Sequence, residues 1–255
     1  MLILCYGITK SGSTLAFELV KGMLESAGHP QERLPDEAVN PGHRVNYIQP
    51  LDRRRLNVLL AAVGERWIAV KTHAGFNDPL FPYLEQLVDD KRLRIIASYR
   101  DPRDICLSLV DAGVKSRAAG KKEFSEVSDL ESAVPRVLEQ IVKFRKWAAV
   151  RNTLRLDYDV VAFDPDVAIE RIERCLGIAS DYHQAKRHAF ADAFTQRNKA
   201  QRHRSRTELS PEEDARLTEA FAEFLGNVHD ANNEAWFSIV RQRILKRLRD
   251  QPPPG

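Results

Sequence analysis

Leu2-Ile3-Leu4-Cys5-Tyr6-Gly7-Ile8-Thr9-Lys10-Ser11-Gly12-Ser13-Thr14 opens the chain and decides its reading. Five apolar residues in a row predict a strand buried on both faces, the kind found inside parallel sheets. The strand runs into a turn with two glycines. Leu15, Phe17, Leu19, Val20, Met23 and Leu24 then recur at helical spacing until Gly28 and Pro30 stop the pattern. A strand that turns sharply into a helix aims backbone N–H groups and the positive helix end at one point, a cradle for an oxyanion. Against the nucleotide-kinase pattern G-x-x-x-x-G-K-(S/T), Gly7, Gly12 and Thr14 match, but Ser13 stands where the lysine belongs. The lysine is displaced into the loop, at Lys10, which argues against ordinary ATP chemistry.

The same logic repeats downstream. Trp67 to Val70 reads as a short buried strand that delivers Lys71-Thr72-His73 at its carboxyl end, after a helix over Arg54 to Val63. Leu93 to Tyr99 is a second strand, ending in Arg100-Asp101-Pro102-Arg103-Asp104. Asp101 suits a helix cap and Pro102 a first turn, so Ile105 to Val110 is expected to be helical. Val137 to Trp147 marks a further helix, Thr153 to Leu156 a strand followed by Asp157-Tyr158-Asp159, and Asp164-Pro165 the start of a helix ending near Gly177. Strands alternating with helices predict an α/β fold: a single P-loop-type domain over residues 1–250, with a central, mainly parallel sheet flanked by helices on both faces. Residues 31–50 and 111–129 lack a period and are expected to be a surface connection and a flexible excursion. Ser210-Pro211-Glu212-Glu213 reads as a capping box, Glu234 to Arg249 as a basic amphipathic helix with an exposed basic face, and residues 251–255 as a loose Pro-rich tail.

Composition narrows the function. The 255 residues carry a formal net charge of +3, with basic clusters at Arg53 to Arg55, Lys121-Lys122, Arg202 to Arg206 and Arg241 to Arg249. That mild excess fits a small anionic ligand better than nucleic acid. Three cysteines, odd in number and without metal spacing, argue against a disulfide framework or zinc site. The chain enters a core strand without a leader-like segment and has no apolar run of membrane length, so a soluble cytoplasmic protein is expected.

In an open parallel sheet the ligand crevice lies beyond the carboxyl ends of the strands. The Lys10 loop, Lys71-Thr72-His73 and Arg100 meet there. Two lysines can hold an anionic leaving group and a developing charge, and a histidine can take a proton from an acceptor near neutral pH.

With these motifs in order along residues 1–180, the chain resembles the sulfotransferases that use 3′-phosphoadenosine 5′-phosphosulfate (PAPS). Lys10-Ser11-Gly12-Ser13-Thr14 is similar to that family's K-S-G-(S/T)-T loop, which binds the 5′-phosphosulfate. Lys71-Thr72-His73 is similar to its K-T-H, implying His73 as catalytic base and Lys71 as an aid to the sulfuryl group. Arg100 to Asp104 resembles its R-(N/D)-P-(K/R)-D run; with Ser108 eight residues on, it implies Arg100 and Ser108 as ligands of the 3′-phosphate. Tyr158-Asp159 resembles a Y-E whose tyrosine lies near the adenine. The family's late R-K-G-x-x-G-x-W segment has its nearest equivalent in Arg202 to Arg206, without the glycines and tryptophan, which implies Arg202 and Arg204 over the nucleotide. The resemblance implies transfer of a sulfuryl group from PAPS to a hydroxyl, or less readily an amine, of a small acceptor, with 3′-phosphoadenosine 5′-phosphate (PAP) as product and no metal. Neither the acceptor class nor the oligomeric state is legible. A P-loop small-molecule kinase and a non-catalytic nucleotide-binding module are the rival readings.

Overall fold

A computed structural model describes residues 1–193, 199–228 and 234–250. Its centre is four parallel strands, β1 (Leu2–Gly7), β2 (Ile68–Thr72), β3 (Leu93–Tyr99) and β4 (Leu154–Asp157), in the order β2-β1-β3-β4. The expected α/β fold with a mainly parallel sheet is therefore found, all four described strands being parallel. β1 lies between β2 and β3, with Tyr6 opposite Thr72 on one side and Gly7 opposite Ser98 on the other. Every β1 residue is buried, as an uninterrupted apolar strand in a covered parallel sheet must be.

Twelve α-helices among the described residues complete the alternation with the strands. In chain order the helices are α1 (Ser13–Ser26), α2 (Arg53–Val63), α3 (Phe81–Asp89), α4 (Pro102–Ala118), α5 (Leu130–Ala148), α6 (Tyr158–Phe163), α7 (Pro165–Leu176), α8 (Tyr182–Arg187), α9 (Ser205–Glu208), α10 (Pro211–Ala220), α11 (Ala222–Val228) and α12 (Glu234–Arg249). Side chains of a strand alternate between faces, and β1 distributes its residues accordingly. Leu2, Leu4 and Tyr6 join a large core with residues of α2 to α5 and α10 to α12, whereas Ile3 and Cys5 join a second core with α1, α6, α7 and α8.

The helix ends follow local chemistry. Asp101 accepts from the Arg103 amide at the start of α4, with Pro102 in the first turn, and Ser210 with Glu213 forms the expected capping box on α10. Gly177, at φ 72°, ends α7.

Three expectations, two about loops and one about a helix face, need correction. Residues 111–129 are not a flexible excursion: α4 continues to Ala118, and the following loop folds back onto it. Gly113 makes this possible, because a Cβ there would lie 2.0 Å from the Val127 carbonyl oxygen. Arg117 Nη1 donates to the Ser125 and Val127 carbonyls, both at 2.8 Å, and Val127 is fully buried. Residues 31–50 are likewise more than a surface connection, since Leu34, Ala38, Val39 and Ile48 are core residues. Asn46 to Ile48 runs beside β2, its carbonyl at Asn46 accepting from the Lys71 amide at 2.7 Å. The basic face of α12 is partly committed: Arg241 holds the buried Glu85 carboxylate at 2.7 and 2.8 Å while Phe237 and Ile244 enter the core. The Pro-rich tail, 251–255, lies outside the described residues.

Candidate active site

The loop after β1 is tight by construction. A Cβ on Gly7 would stand 2.2 Å from that of Ser13, so the chain doubles back against its own helix start. Gly12, at φ 74°, precedes α1 in the left-handed region, and a Cβ there would meet the Tyr158 ring at 2.5 Å. Lys10 also has positive φ, at 70°. Both donors of Ser11 turn inward: its amide and its hydroxyl reach the Ile8 carbonyl at 3.0 and 2.7 Å. Ser13 and Thr14 open α1, whose first-turn amides have no carbonyl partner within the helix. The cradle therefore offers the amides of the α1 start and the Lys10 ammonium, while Ser11 braces the turn.

β2 brings Lys71 and His73 to this loop. The Lys71 ammonium donates to Thr14 Oγ1 at 2.7 Å. Burial lowers its pKa to about 8, against the opposing pull of the Glu18 carboxylate. His73 Nδ1 lies 2.7 Å from the Gly7 carbonyl oxygen. An oxygen that can only accept requires Nδ1 to carry the proton, which leaves the lone pair on Nε2. Burial first, and the nearby Lys71 charge second, push His73 down to about 4, so the ring is neutral at neutral pH. The loop thus sets the tautomer of the residue read as a base. Trp147 donates to the Ala74 carbonyl at 2.9 Å and stacks on Tyr6, so the backbone beside His73 is anchored from the core.

Two residues near these lysines had no recognised motif. The Tyr47 ring lies 6.0 Å from the His73 ring and stacks on the His43 ring at 4.4 Å. Phe124 lies 5.6 Å from the Lys10 ammonium, held there by the folded-back loop. Burial lowers the pKa of Lys10, while Glu123 and Asp111 act the other way. The sequence signals were an aromatic in each aperiodic segment, but an aromatic in a loop is equally a packing residue. Phe76 and Phe81, which follow β2, are core residues.

On the opposite side β3 ends at Arg100, which is 6 % exposed. Its Nη2 donates to Asp104 at 2.9 Å and to the Gln201 carbonyl at 3.0 Å. Its guanidinium carbon lies 4.1 Å from the centroid of the Tyr158 ring. Tyr158 is thus held between Gly12 and Arg100, joining the loop to the β3 end. Arg100 Nε is buried without a partner among the described residues. An unmet donor on a buried cation costs about 1–3 kcal/mol, so this Nε–H stands open to a water or an anionic oxygen. Ser108 is buried two turns into α4.

The expected closing segment does reach this arginine, but its two named arginines differ. Arg202 is exposed, pairing with Asp164 and lying 4.8 Å from the Phe163 ring. Arg204 is buried, with its guanidinium engaged by Asp111 at 2.9 Å and Glu208 at 2.8 Å. Among the described residues no three His, Cys, Asp or Glu side chains gather as metal ligands, and no helix is long and apolar enough to cross a membrane.

A family model described as "Sulfotransferase domain" matches residues 2–238. Comparison with curated proteins gives no match. Among solved structures, the chain is similar to mouse sulfotransferase SULT7A1 complexed with PAP, at 16 % identity and a TM-score of 0.56, over 96 % of this chain and 88 % of that one. It is also similar to retinol dehydratase in complex with androsterone and inactive cofactor PAP, at 15 % identity and a TM-score of 0.52, over 90 % and 81 % of the two chains. At such identities the structural likeness shows a shared fold.

Proposed function

The chain belongs to the sulfotransferase domain family, and from that premise we propose that it moves a sulfuryl group from PAPS to a hydroxyl of a small acceptor, with His73 as general base. One observation carries the reading. The His73 Nδ1 contact to Gly7 and the Lys71 contact to Thr14 tie a neutral base and a cation to the same anion cradle. The nucleotide read for the site carries anions at two ends, and the residues fit that demand: the loop and two lysines on one side, and Arg100 with an unmet Nε on the other. PAP in both solved structures named above is consistent with that ligand.

In this mechanism PAPS supplies a sulfuryl group activated by its anhydride link to phosphate. His73 Nε2 takes the acceptor's proton as its oxygen attacks sulfur, and the Nδ1–H bond to Gly7 stabilises the imidazolium that forms. Lys10 and the amides at the start of α1 take up charge on the departing 5′-phosphate, and Lys71 steadies the sulfuryl oxygens. Arg100, Ser108 and the exposed Arg202 hold the 3′-phosphate side, with Tyr158 near the base. The sulfuryl step needs no metal in this scheme. Residues 1–250 act as one domain, in the cytoplasm.

The test pairs two measurements. His73→Ala should lose at least ~100-fold in turnover, the usual weight of a general base, while PAP binding by calorimetry stays within about threefold. The unmodified protein should bind PAP in preference to ADP and ATP, with or without magnesium. Magnesium-dependent ATP turnover would replace this reading with a kinase, and tight PAP binding without transfer to any acceptor would replace it with a binding module.

A further inference from the structure

Helix α4 carries three polar residues at positions 104, 108 and 111, spacings of four and three that place them on one face. Only Ser108 has a role in the reading above. The two carboxylates that flank it both hold the segment 199–209, which comes from nearly a hundred residues later. Asp104, 1 % exposed, accepts from the Ser205 amide at 2.8 Å and from the Arg204 amide at 3.2 Å. The same carboxylate accepts from Arg100 Nη2 at 2.9 Å. The Gln201 carbonyl closes the ring by accepting from that Nη2 at 3.0 Å.

Asp111 supplies the second attachment. It accepts from Arg204 Nη2 at 2.9 Å, and Glu208 accepts from both Arg204 Nε and Nη2 at 2.8 Å. Lys199 adds a bond to Glu208 at 2.7 Å. Arg204 is only 2 % exposed, so its charge is spent inside the protein on two carboxylates. Asp111 also lies within electrostatic reach of Lys10. The α4 face therefore runs from Arg100 towards the loop, with the segment pinned along it.

Resting on the sulfonucleotide reading, the geometry points to Asp104 as a positioning residue that ties Arg100 to the 199–209 strap, so that arginine and strap engage the 3′-phosphate as one unit, with Arg204 as the strap's internal anchor rather than a phosphate ligand. A carboxylate with two oxygens can satisfy a guanidinium and two amides at once, which an amide side chain of the same shape cannot. Once Asp104 loses its charge, Arg100 keeps a buried cation held by the Gln201 carbonyl and the Tyr158 ring without its carboxylate, and the two strap amides lose their charged acceptor.

The experiment compares the unmodified protein, Asp104→Asn and Arg204→Gln. Hydrogen exchange without nucleotide should show the Arg204 and Ser205 amides exchanging at least ~10-fold faster in Asp104→Asn, as loss of charge-assisted bonds implies. Calorimetry should then show PAP affinity down by roughly 10-fold or more in both variants, while adenosine 5′-phosphate affinity changes by less than about threefold. In turnover the KM for PAPS should rise with kcat nearly unchanged, a split that general destabilisation would not produce. Unchanged exchange at Arg204 and Ser205, or equal losses for PAP and adenosine 5′-phosphate, would overturn the assignment. If the unmodified protein itself fails to prefer PAP over adenosine 5′-phosphate, the sulfonucleotide reading falls and takes the phosphate half of this inference with it. The nucleotide-free exchange still decides by itself whether Asp104 holds the strap.

Discussion

Replacing Gly12 by alanine attacks the point where the cradle, Tyr158 and Arg100 meet. Gly12 has φ 74°, so any side chain pays for the left-handed conformation, about 1–2 kcal/mol. Its Cβ would also stand 2.5 Å and 2.8 Å from two carbons of the Tyr158 ring. That ring cannot retreat freely, because Arg100 lies 4.1 Å from its centroid on one side and Phe163 meets its edge at 5.8 Å. Overpacking of this kind costs a further ~1–3 kcal/mol. Gly12→Ala should therefore lose about 2–5 kcal/mol, or about 6–15 °C in melting temperature at the ~3 °C per kcal/mol typical of this chain length. Gly28→Ala isolates the backbone part, for Gly28 has φ 84° and nothing within 4 Å of a built Cβ. It should lose only about 1–2 kcal/mol. Thermal and urea unfolding of both variants, with PAP calorimetry on each, gives the comparison. Gly12→Ala should also bind PAP at least ~10-fold more weakly, because a cation–π contact of about 1–2 kcal/mol that orients Arg100 is disturbed. A Gly12→Ala protein that melts with Gly28→Ala and keeps its PAP affinity would show that Tyr158 does not pack on the loop, and the two-sided site would fall with it.

Further outcomes follow from the same geometry. The pH profile of kcat/KM should have its acid limb near 4, where His73 gains a proton, and its alkaline limb near 8, where Lys71 loses one. Lys71→Arg, which keeps its charge, should remove the alkaline limb while lowering the maximum; an unchanged limb would acquit Lys71. The His73 value also carries a stability sign. Its folded value of about 4 lies below the ordinary 6.5, so the unfolded chain binds the proton first, and stability should fall as pH drops from about 6.5 to about 4. His73→Gln should flatten that part of the stability profile. Gly113→Ala puts a Cβ 2.0 Å from the Val127 carbonyl oxygen and 2.9 Å from that of Phe124. It should cost about 1–3 kcal/mol in urea unfolding and speed proteolysis within residues 119–129, whereas a neutral effect on both would contradict the folded-back loop.

What was legible in the sequence depended on whether a residue's partners were local. The four strands were readable because β1 opens on a continuous apolar run, β2 and β3 carry shorter ones at Ile68 to Val70 and Ile95 to Ala97, and each is followed by its own turn chemistry. The helix α3 was missed although Leu80, Phe81, Leu84, Leu87 and Val88 carry a helical period behind Asp78-Pro79; there the signal existed. Gly113 misled in the opposite direction. A glycine among charged residues reads as a breaker, yet here it sits inside α4 so that a carbonyl can touch the helix. His73 was identifiable by its neighbours Lys71 and Thr72, but its tautomer was not, because the partner is the carbonyl of Gly7, 66 positions earlier. Asp104 belonged to a recognised run, yet its partners at Arg204 and Ser205 are 100 and 101 positions away. No local pattern can report such a bond.

The strand order explains how the two anion sites proposed above would arise together. β1 pairs in parallel with both β2 and β3, so the ends of all three strands point the same way and Gly7 is level with Ser98. Neighbouring strands lie about 4.8 Å apart, which puts the ends of β2 and β3 about 10 Å from each other across the loop. His73 and Lys71 come from one flank, Arg100 from the other, and the Lys10 cradle lies between. A ligand with a single phosphate would engage the cradle and leave the buried Arg100 Nε unmet. Moving the lysine from the Ser13 position to Lys10 has a related effect. At position 13 it would leave from the first turn of α1, whereas at Lys10, with φ 70°, it leaves from the loop and ends 5.6 Å from the Phe124 ring on the α4 side. The charge is then carried towards the space between the two flanks, where the proposed reaction puts a leaving phosphate joined to a second anion.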